Sequence, residues 1–279
     1  MKEIIRCFFF WVKNLFKYIK SGGVVYVNFA TISNPRLLEN KHIVIIGGSK
    51  GLGFTMARKF LEVGAKVTIS GRSEERLKKA KENLKSDKVN YIVWDLDRVD
   101  NVQSHIEQIH KSFGIIDFFI NNAGVFFASE SSFFTQSVYS WDKTMNTNLR
   151  GLFFVCQKEI AYFLKRGGGK ILNITSIGGV RSGYNAYDIS KSSANNLTRG
   201  LAKLYASHNI IVNAIAPGEM PTEMGRPCDI HDNIYYSKQP NHRLTLTEDV
   251  AELAVFLMSD AANNIVGQVI CCDGGASIN

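Results

Sequence analysis

The chain has 279 residues, of which 45% are hydrophobic and 21% are charged, which is typical of a globular protein. It contains no run of 18 apolar residues, so the sequence argues against a membrane-spanning helix. The formal net charge is +8, but residues 1–41 hold seven Lys or Arg and two Glu, which is +5. This uneven distribution argues against nucleic-acid binding as the reason for the basic balance.

Residues 1–20 form a separate N-terminal segment that is rich in aromatic residues and lysine. At about 100° per residue, the apolar side chains fall on one broad face and the lysines on the other. This pattern predicts an amphipathic helix that lies on an anionic membrane surface. The alternative is a helix packed on the folded domain or on a partner subunit, with residues 24–32 as an added strand. We assign residues 1–40 to this basic amphipathic extension.

From residue 42 onward, short apolar runs alternate with segments of helical periodicity. The runs predict buried strands at residues 42–46, 66–70, 89–94, 116–120, 170–175, 210–215 and 268–272. Helical spacing covers residues 54–63, 73–84, 99–112, 149–165 and 186–206. This alternation predicts an α/β fold with a Rossmann-type, doubly wound parallel sheet of about seven strands. Residues 41–279 therefore form one domain, in which the irregular residues 219–244 are predicted to be a lid over a ligand.

The first predicted strand runs into a glycine-rich loop, which reads Gly47-Gly48-Ser49-Lys50-Gly51-Leu52-Gly53. Glycines at such a turn let the backbone approach a pyrophosphate, whose charge a helix N-terminus stabilises. A merely structural turn is the alternative for a glycine-rich loop taken alone.

More short motifs follow the later strands in chain order. They are Asn121-Asn122-Ala123-Gly124, Asn148 in an N-x-N-L-x-G stretch, Ser176 after the fifth strand, Tyr187 and Lys191 in Y-x-x-x-K, Pro217-Gly218 with Thr222, and Asp273-Gly274-Gly275. Taken singly, these residues could be helix-surface, strand-end or capping residues. As an ordered set from about residue 42 to 276, they resemble the short-chain dehydrogenase/reductase family, whose loop reads T-G-x-x-x-G-x-G. The chain departs from that loop only at Ile46, which replaces the threonine.

Tyrosine and lysine four residues apart lie on the same face of a helix. A phenol has a pKa of about 10, so it exchanges protons near neutrality only if the phenolate is stabilised, which a nearby ammonium can do. We therefore hypothesise that Tyr187 is the general acid/base. The resemblance implies that Lys191 lowers the phenol pKa and binds the nicotinamide ribose, that Ser176 orients the substrate carbonyl, and that Asn148 holds a water linking Lys191 to solvent.

The cofactor is expected to be NADP(H) rather than NAD(H). NAD-binding sites of this kind place a carboxylate after the second strand, but here Arg72 follows that strand, and Lys50 adds a second positive charge. Asp95 and Leu96 resemble the family's adenine-contacting pair, although Asp95 could simply cap a helix. The expected contacts to the cofactor are Gly47, Ser49, Lys50, Gly51, Leu52, Gly53, Arg72, Asp95, Leu96, Asn122, Ala123, Gly124, Tyr187, Lys191, Pro217, Gly218 and Thr222.

The sequence thus predicts an oxidoreductase that moves a hydride between NADP(H) and a ketone or secondary alcohol. The alternatives are a non-catalytic, nicotinamide-binding regulatory or scaffold protein and a sugar-nucleotide epimerase or dehydratase. The five cysteines have no metal-ligand spacing, so no metal is expected and the protein is predicted to be cytoplasmic with reduced thiols. Family resemblance implies a homodimer or homotetramer.

Overall fold

The computed structural model describes residues 12, 15, 32, 34–224 and 234–278. The predicted N-terminal helix therefore lies outside the described residues, apart from Val12 and Leu15. The same holds for most of the possible added strand and for residues 225–233 of the predicted lid. None of the described helices is long and apolar enough to cross a membrane.

Seven strands form one parallel sheet in the order β3-β2-β1-β4-β5-β6-β7. Their bounds are β1 His42–Ile46, β2 Lys66–Gly71, β3 Val89–Val93, β4 Phe118–Asn121, β5 Gly169–Ile174, β6 Ile210–Pro217 and β7 Val269–Cys272. The order reverses between β1 and β4, which both pair with neighbours in parallel register, Ile43 lying opposite Val67 and Phe118. The predicted Rossmann-type fold is confirmed, and this reversal is the point at which such sheets bind ligands.

Helices cover both faces of the sheet and connect its strands. Their bounds are α1 Gly51–Glu62, α2 Glu74–Leu84, α3 Val102–Phe113, α4 Val138–Met145, α5 Leu152–Arg166, α6 Ala186–Tyr205 and α7 Thr247–Met258. All five residues of β1 are buried, because each face of the central strand packs against a separate apolar cluster. Such strands must be apolar on both sides, which explains why they read as continuous Val- and Ile-rich runs.

The structure refines several of the predicted elements. The predicted strand at residues 116–120 lies at Phe118–Asn121, and the predicted helix at residues 54–63 begins at Gly51, inside the glycine-rich loop. The predicted helix at residues 149–165 begins at Leu152 as α5, and residues 149–151 belong instead to a π-helical turn, Asn146–Gly151, that joins α4 to α5. Such turns are rare and occur often at functional sites, and this one contains Asn148.

Candidate active site

A cavity of about 800 Å³ opens at the carboxyl edge of the sheet, from the end of β2 to the end of β6. All the predicted site residues line it except Gly53 and Asn148. The lining set is Gly47, Ser49, Lys50, Gly51, Leu52, Arg72, Asp95, Leu96, Asn122, Ala123, Gly124, Ser176, Tyr187, Lys191, Pro217, Gly218 and Thr222. The fold thus brings together residues that lie far apart in the sequence, from Gly47 to Thr222.

The glycine-rich loop is held tightly against the loop that follows β4. Asn122 Nδ2 donates to the Gly47 carbonyl over 2.6 Å, and a Cβ atom on Gly53 would lie 2.0 Å from that same oxygen. Gly53 therefore stands beneath the loop and not on the cavity wall. Its role in this structure is to let α1 approach Gly47 closely, so that the helix N-terminus faces the cavity.

This close approach predicts the effect of Gly53→Ala. The added methyl must displace backbone atoms of Gly47, and we expect a loss of about 1–3 kcal/mol of unfolding free energy, as for overpacking elsewhere. Binding of a dinucleotide should weaken as well, because the displaced loop lines the cavity. Thermal unfolding and a titration of nicotinamide fluorescence would measure the two effects.

Gly200→Ala is the matched control, because a Cβ atom on Gly200 of α6 would meet nothing within 4 Å. Glycine within a helix costs about 0.5–1 kcal/mol relative to alanine, so this variant should be as stable as the parent or more so. Equal melting temperatures for the two variants would contradict the packing role given to Gly53.

Three cationic side chains line the cavity at the end of β2. Lys50 and Arg72 are the predicted pair, and Arg76 of α2 is the third. Lys50 is paired with Glu223, and its ammonium holds the pKa of that carboxyl below its usual range, with a further contribution from Arg76. Arg72 and Arg76 are both exposed. With Lys50 paired to Glu223, the two exposed guanidinium groups of Arg72 and Arg76 make this end of the cavity suit an anionic ligand group.

Tyr187 and Ser176 lie at the other end of the cavity. Ser176 lies two residues after the end of β5, and its hydroxyl accepts a hydrogen bond from Gly178 N over 3.1 Å. Burial raises the pKa of the Tyr187 phenol above its ordinary value, and a hydrogen bond with Ser176 opposes that shift. The ring of Phe126 packs on the ring of Tyr187 with centroids 4.8 Å apart, so the phenol has an apolar neighbour on one side and a hydroxyl within reach.

Lys191 lies one helical turn after Tyr187 and is almost fully buried. Its Nζ lies 5.7 Å from the centre of the Tyr187 ring and donates to the Ile174 carbonyl over 2.9 Å. Burial lowers the pKa of Lys191 to about 8. The family resemblance implies that Lys191 lowers the phenol pKa. In this structure, burial acts against the charged form of both groups and raises the phenol pKa.

Asn148 lies behind the main cavity, in the π-helical turn. Its Oδ1 accepts from Val125 N over 2.8 Å and its Nδ2 donates to Val125 O over 2.9 Å. These two bonds fix the strand-to-helix loop that carries Gly124, where a Cβ atom would lie 3.6 Å from Lys191 Nζ. Asn148 and Lys191 both line a second cavity of about 10 Å³, which is about the volume that one water needs.

Sequence reasoning missed several residues of the main cavity. They are Ile46, Ser70, Gly71, Ser73, Arg76, Trp94, Val125, Thr147, Ile174, Thr175, Met220, Pro221, Glu223, Met224 and Thr247. Arg76 had a usable signal, since it lies one helical turn after Arg72 at the start of α2. Glu223 lies in the segment predicted to be a lid over a ligand, but nothing singled it out there, because an irregular segment has no periodicity to place a side chain.

The cavity fits an extended dinucleotide. Its volume lies within the range of about 300–1,000 Å³ that small-molecule sites occupy. Gly51 faces the cavity, because a Cβ atom placed on it would meet only side-chain atoms of Thr222. The glycine-rich loop and the α1 N-terminus suit a pyrophosphate. The cations at the end of β2 suit a further phosphate, and Tyr187 with Ser176 could donate hydrogen bonds to a carbonyl oxygen at the opposite end.

Most of the chain is also similar in sequence to known reductases and dehydrogenases. Residues 47–277 match the family model described as enoyl-(acyl carrier protein) reductase. The chain is 35% identical to a 3-oxoacyl-[acyl-carrier-protein] reductase of Chlamydia muridarum over 86% of its length and 98% of that protein. It is 32% identical to gluconate 5-dehydrogenase of Gluconobacter oxydans over 89% of its length and all of that protein.

Solved structures with this fold include proteins bound to either nicotinamide cofactor. A 3-ketoacyl-(acyl-carrier-protein) reductase from Brucella melitensis, complexed with NADH, has a TM-score of 0.78 and 28% identity, covering 86% of this chain and all of that one. ElxO with NADP bound has a TM-score of 0.77 and 31% identity, covering 85% of this chain and 98% of that one. Relatives thus bind NADH in one case and NADP in the other.

Proposed function

The chain belongs to the short-chain dehydrogenase/reductase family, and on that premise we propose that it transfers a hydride between NADP(H) and a ketone or secondary alcohol. The observation that carries the proposal is the single cavity wall shared by Ser176, Tyr187, Lys191 and the glycine-rich loop. A protein that only bound a nucleotide would have no use for a phenol, a hydroxyl and a buried ammonium beside one another. The relatives named above act on 3-oxoacyl groups and gluconate, which are carbonyl or alcohol substrates.

Each side chain of the set has a distinct task in this proposal. The nicotinamide supplies the hydride when it is bound. Tyr187 gives its phenolic proton to the carbonyl oxygen during reduction and takes it back during oxidation. Ser176 donates a hydrogen bond that orients the same oxygen. Lys191 holds positive charge behind the phenol, so that the phenolate left after proton transfer is stabilised.

The preference for NADP(H) is supported by the charges at the end of β2. Lys50, Arg72 and Arg76 line the cavity there, whereas β2 ends in Gly71 and is followed by no carboxylate before Glu74. An arginine offers a planar pair of donors that matches a phosphate. The ribose 2′-phosphate of NADP is the group that would meet these side chains.

The test is oxidation of NADPH, with NADH in parallel, by the purified full chain on a panel of ketones, aldehydes, oxoacyl thioesters and ketosugars. We expect turnover with NADPH on at least one ketone and a lower kcat/KM with NADH. Binding of NADPH with no turnover on any member would favour the regulatory or scaffold alternative. Epimerisation of a nucleotide sugar without net oxidation would favour the epimerase alternative.

Three further predictions from the sequence remain open to test. They are the homodimer or homotetramer, the association of residues 1–20 with an anionic membrane surface, and the cytoplasmic location. Sedimentation of the intact protein with anionic vesicles, against a variant without residues 1–20, would address the membrane prediction directly.

A further inference from the structure

Helix α5 carries a glutamate on its buried face, in the core of the protein. The Glu159 side chain has no exposed surface, and no Lys, Arg or His forms an ion pair with it among the described residues. An isolated carboxylate in such a place is very costly, so the group must be neutral or specifically hydrogen-bonded. Burial raises the pKa of Glu159 to about 8, so at neutral pH it holds its proton.

The partner of Glu159 is Asn121, the last residue of β4. Asn121 Nδ2 donates to Glu159 Oε2 and to Asn173 Oδ1, each over 3.0 Å. Cys156 Sγ also lies within 3.6 Å of Asn121 Nδ2. An amide nitrogen has only two hydrogens to give, and the two nearer oxygens take them. Asn121 Oδ1 is then left as an acceptor, and it has no partner among the described residues.

The direction of these bonds is fixed from outside the cluster. Thr198 Oγ1 donates to the Ala194 carbonyl over 2.9 Å and therefore accepts from Asn173 Nδ2, also over 2.9 Å. Asn173 Oδ1 must then face Asn121, and Asn121 Nδ2 donates to it. Rotating the Asn121 amide by 180° would set its oxygen against Asn173 Oδ1, which has no hydrogen to donate. The network thus leaves one orientation for Asn121.

Asn121 also lines the cavity of about 10 Å³ that Asn148 and Lys191 share. Lys191 Nζ carries three hydrogens when it is charged, and the Ile174 carbonyl takes one of them. The cavity can hold one water, which would accept from the ammonium and donate to Asn121 Oδ1. A buried ammonium needs such acceptors, because burial otherwise favours its neutral form.

We propose that Glu159 is a positioning residue. By accepting from Asn121 Nδ2, it keeps Asn121 Oδ1 toward the small cavity, where that oxygen holds a water against the Lys191 ammonium. The inference rests on the proposed function, since the charge on Lys191 is what stabilises the phenolate of Tyr187. This role would explain why a buried carboxyl group stands at residue 159 although it does not line the main cavity.

The titratable groups around this network are few. Cys156, on the same helix as Glu159, has a thiol whose pKa burial raises well above its usual value, so it stays neutral. The neighbours on β4, β5 and α6 are Asn121, Asn173 and Thr198, which do not titrate. Lys191 faces Tyr187, and Asp188 adds to the raised pKa of that phenol. Glu159 itself has a pKa of about 8, like Lys191, so the pH profile alone cannot separate the two groups. The experiment therefore reads the pKa of Lys191 directly.

The experiment compares Glu159→Met with Glu159→Gln in the full chain. The pKa of Lys191 is read by ¹³C NMR of protein labelled at the lysine Cε, with the signal assigned by Lys191→Arg. A hydrogen bond to a charged group contributes enough that its loss should lower this pKa by about one unit. We expect that drop in Glu159→Met, together with an alkaline shift of similar size in the pH profile of alcohol oxidation. Glu159→Gln keeps the acceptor for Asn121 and should change neither.

Phe163→Leu is the control for packing, because Phe163 lies one turn further along the same face of α5 and is fully buried. It should lower the melting temperature and leave the pKa of Lys191 unchanged. Asn121→Leu removes the oriented oxygen while keeping Glu159. It therefore tests the effect of that oxygen on Lys191 even if Glu159→Met does not fold, and we expect the same drop in the pKa of Lys191.

Two outcomes would overturn the proposal. One is a folded Glu159→Met protein in which the pKa of Lys191 is that of the parent. The other is a shift in Glu159→Gln as large as in Glu159→Met, since the charge of a carboxylate would then be required. The NMR measurement needs no substrate, so it decides the role of Glu159 even for a protein that reduces none of the ketones tested.

Discussion

Tyr187→Phe is expected to lower kcat for ketone reduction by about 10²–10⁴-fold, the range that positioned proton transfer contributes. The substitution removes one oxygen and keeps the ring, which packs on Phe126 with centroids 4.8 Å apart. The apolar contact should therefore survive, and the affinity for NADPH should change little. Stopped-flow or steady-state assays of NADPH oxidation would give kcat, and fluorescence titration would give Kd.

Tyr184→Phe is the matched control for this prediction. Tyr184 lies three residues earlier, in the loop before α6, and its side chain is 62% exposed. It does not line the main cavity, so the same loss of one oxygen should leave kcat within about twofold, as for most exposed substitutions. If Tyr187→Phe retained the turnover of the Tyr184→Phe protein, another group would have to supply the proton.

The sheet could be predicted from the sequence because its strands are buried on both faces. Runs such as residues 42–46 must then be apolar throughout, and β1 was predicted with the bounds that the structure gives it. Its glycine-rich loop was also predictable, since glycine is informative wherever a backbone must approach another closely. The same reasoning did not reveal how closely Gly53 approaches the Gly47 backbone, because a short spacing cannot tell whether a glycine faces the ligand or the backbone beneath it.

Parts of the site that depend on tertiary contacts were not predictable in the same way. A carboxylate in a helix normally indicates a solvent-facing position, so the residue type of Glu159 predicts exposure and not burial. Its spacing did contain a signal, because Val155, Cys156 and Phe163 place it on the buried face of α5. The pairing of Lys50 with Glu223 could not be foreseen, since it joins two segments 173 residues apart.

Helices α4 and α7 show a second limit of the sequence reasoning. Neither is among the segments predicted above, although Ser137 caps α4 by accepting from Ser140 N over 3.1 Å. α4 has only eight residues, too few to show a clear period. The π-helical turn that follows it depends on an extra residue per turn, which no apolar spacing reveals.

Arg72→Ala is expected to raise the KM for NADPH by about tenfold or more, since an arginine that contacts a phosphate forms charge-assisted hydrogen bonds. The KM for NADH should stay nearly constant, because NADH has no phosphate at that position. Arg76 also lines this end of the cavity, so the double variant Arg72→Ala/Arg76→Ala should lose more affinity for NADPH than either single one. Exposed charges are screened by salt, and the parent's preference for NADPH should therefore fall as ionic strength rises.

Arg199→Ala, on the exposed side of α6 and away from the cavity, controls for the loss of one positive charge from the whole protein. It should leave both KM values unchanged. An equal rise in KM for NADH and NADPH in Arg72→Ala would mean that the guanidinium serves a group common to the two cofactors. The three cations would then guide the pyrophosphate or the adenine, and selectivity between the cofactors would have to come from Asp95, Leu96 and Trp94, which line the same end of the cavity.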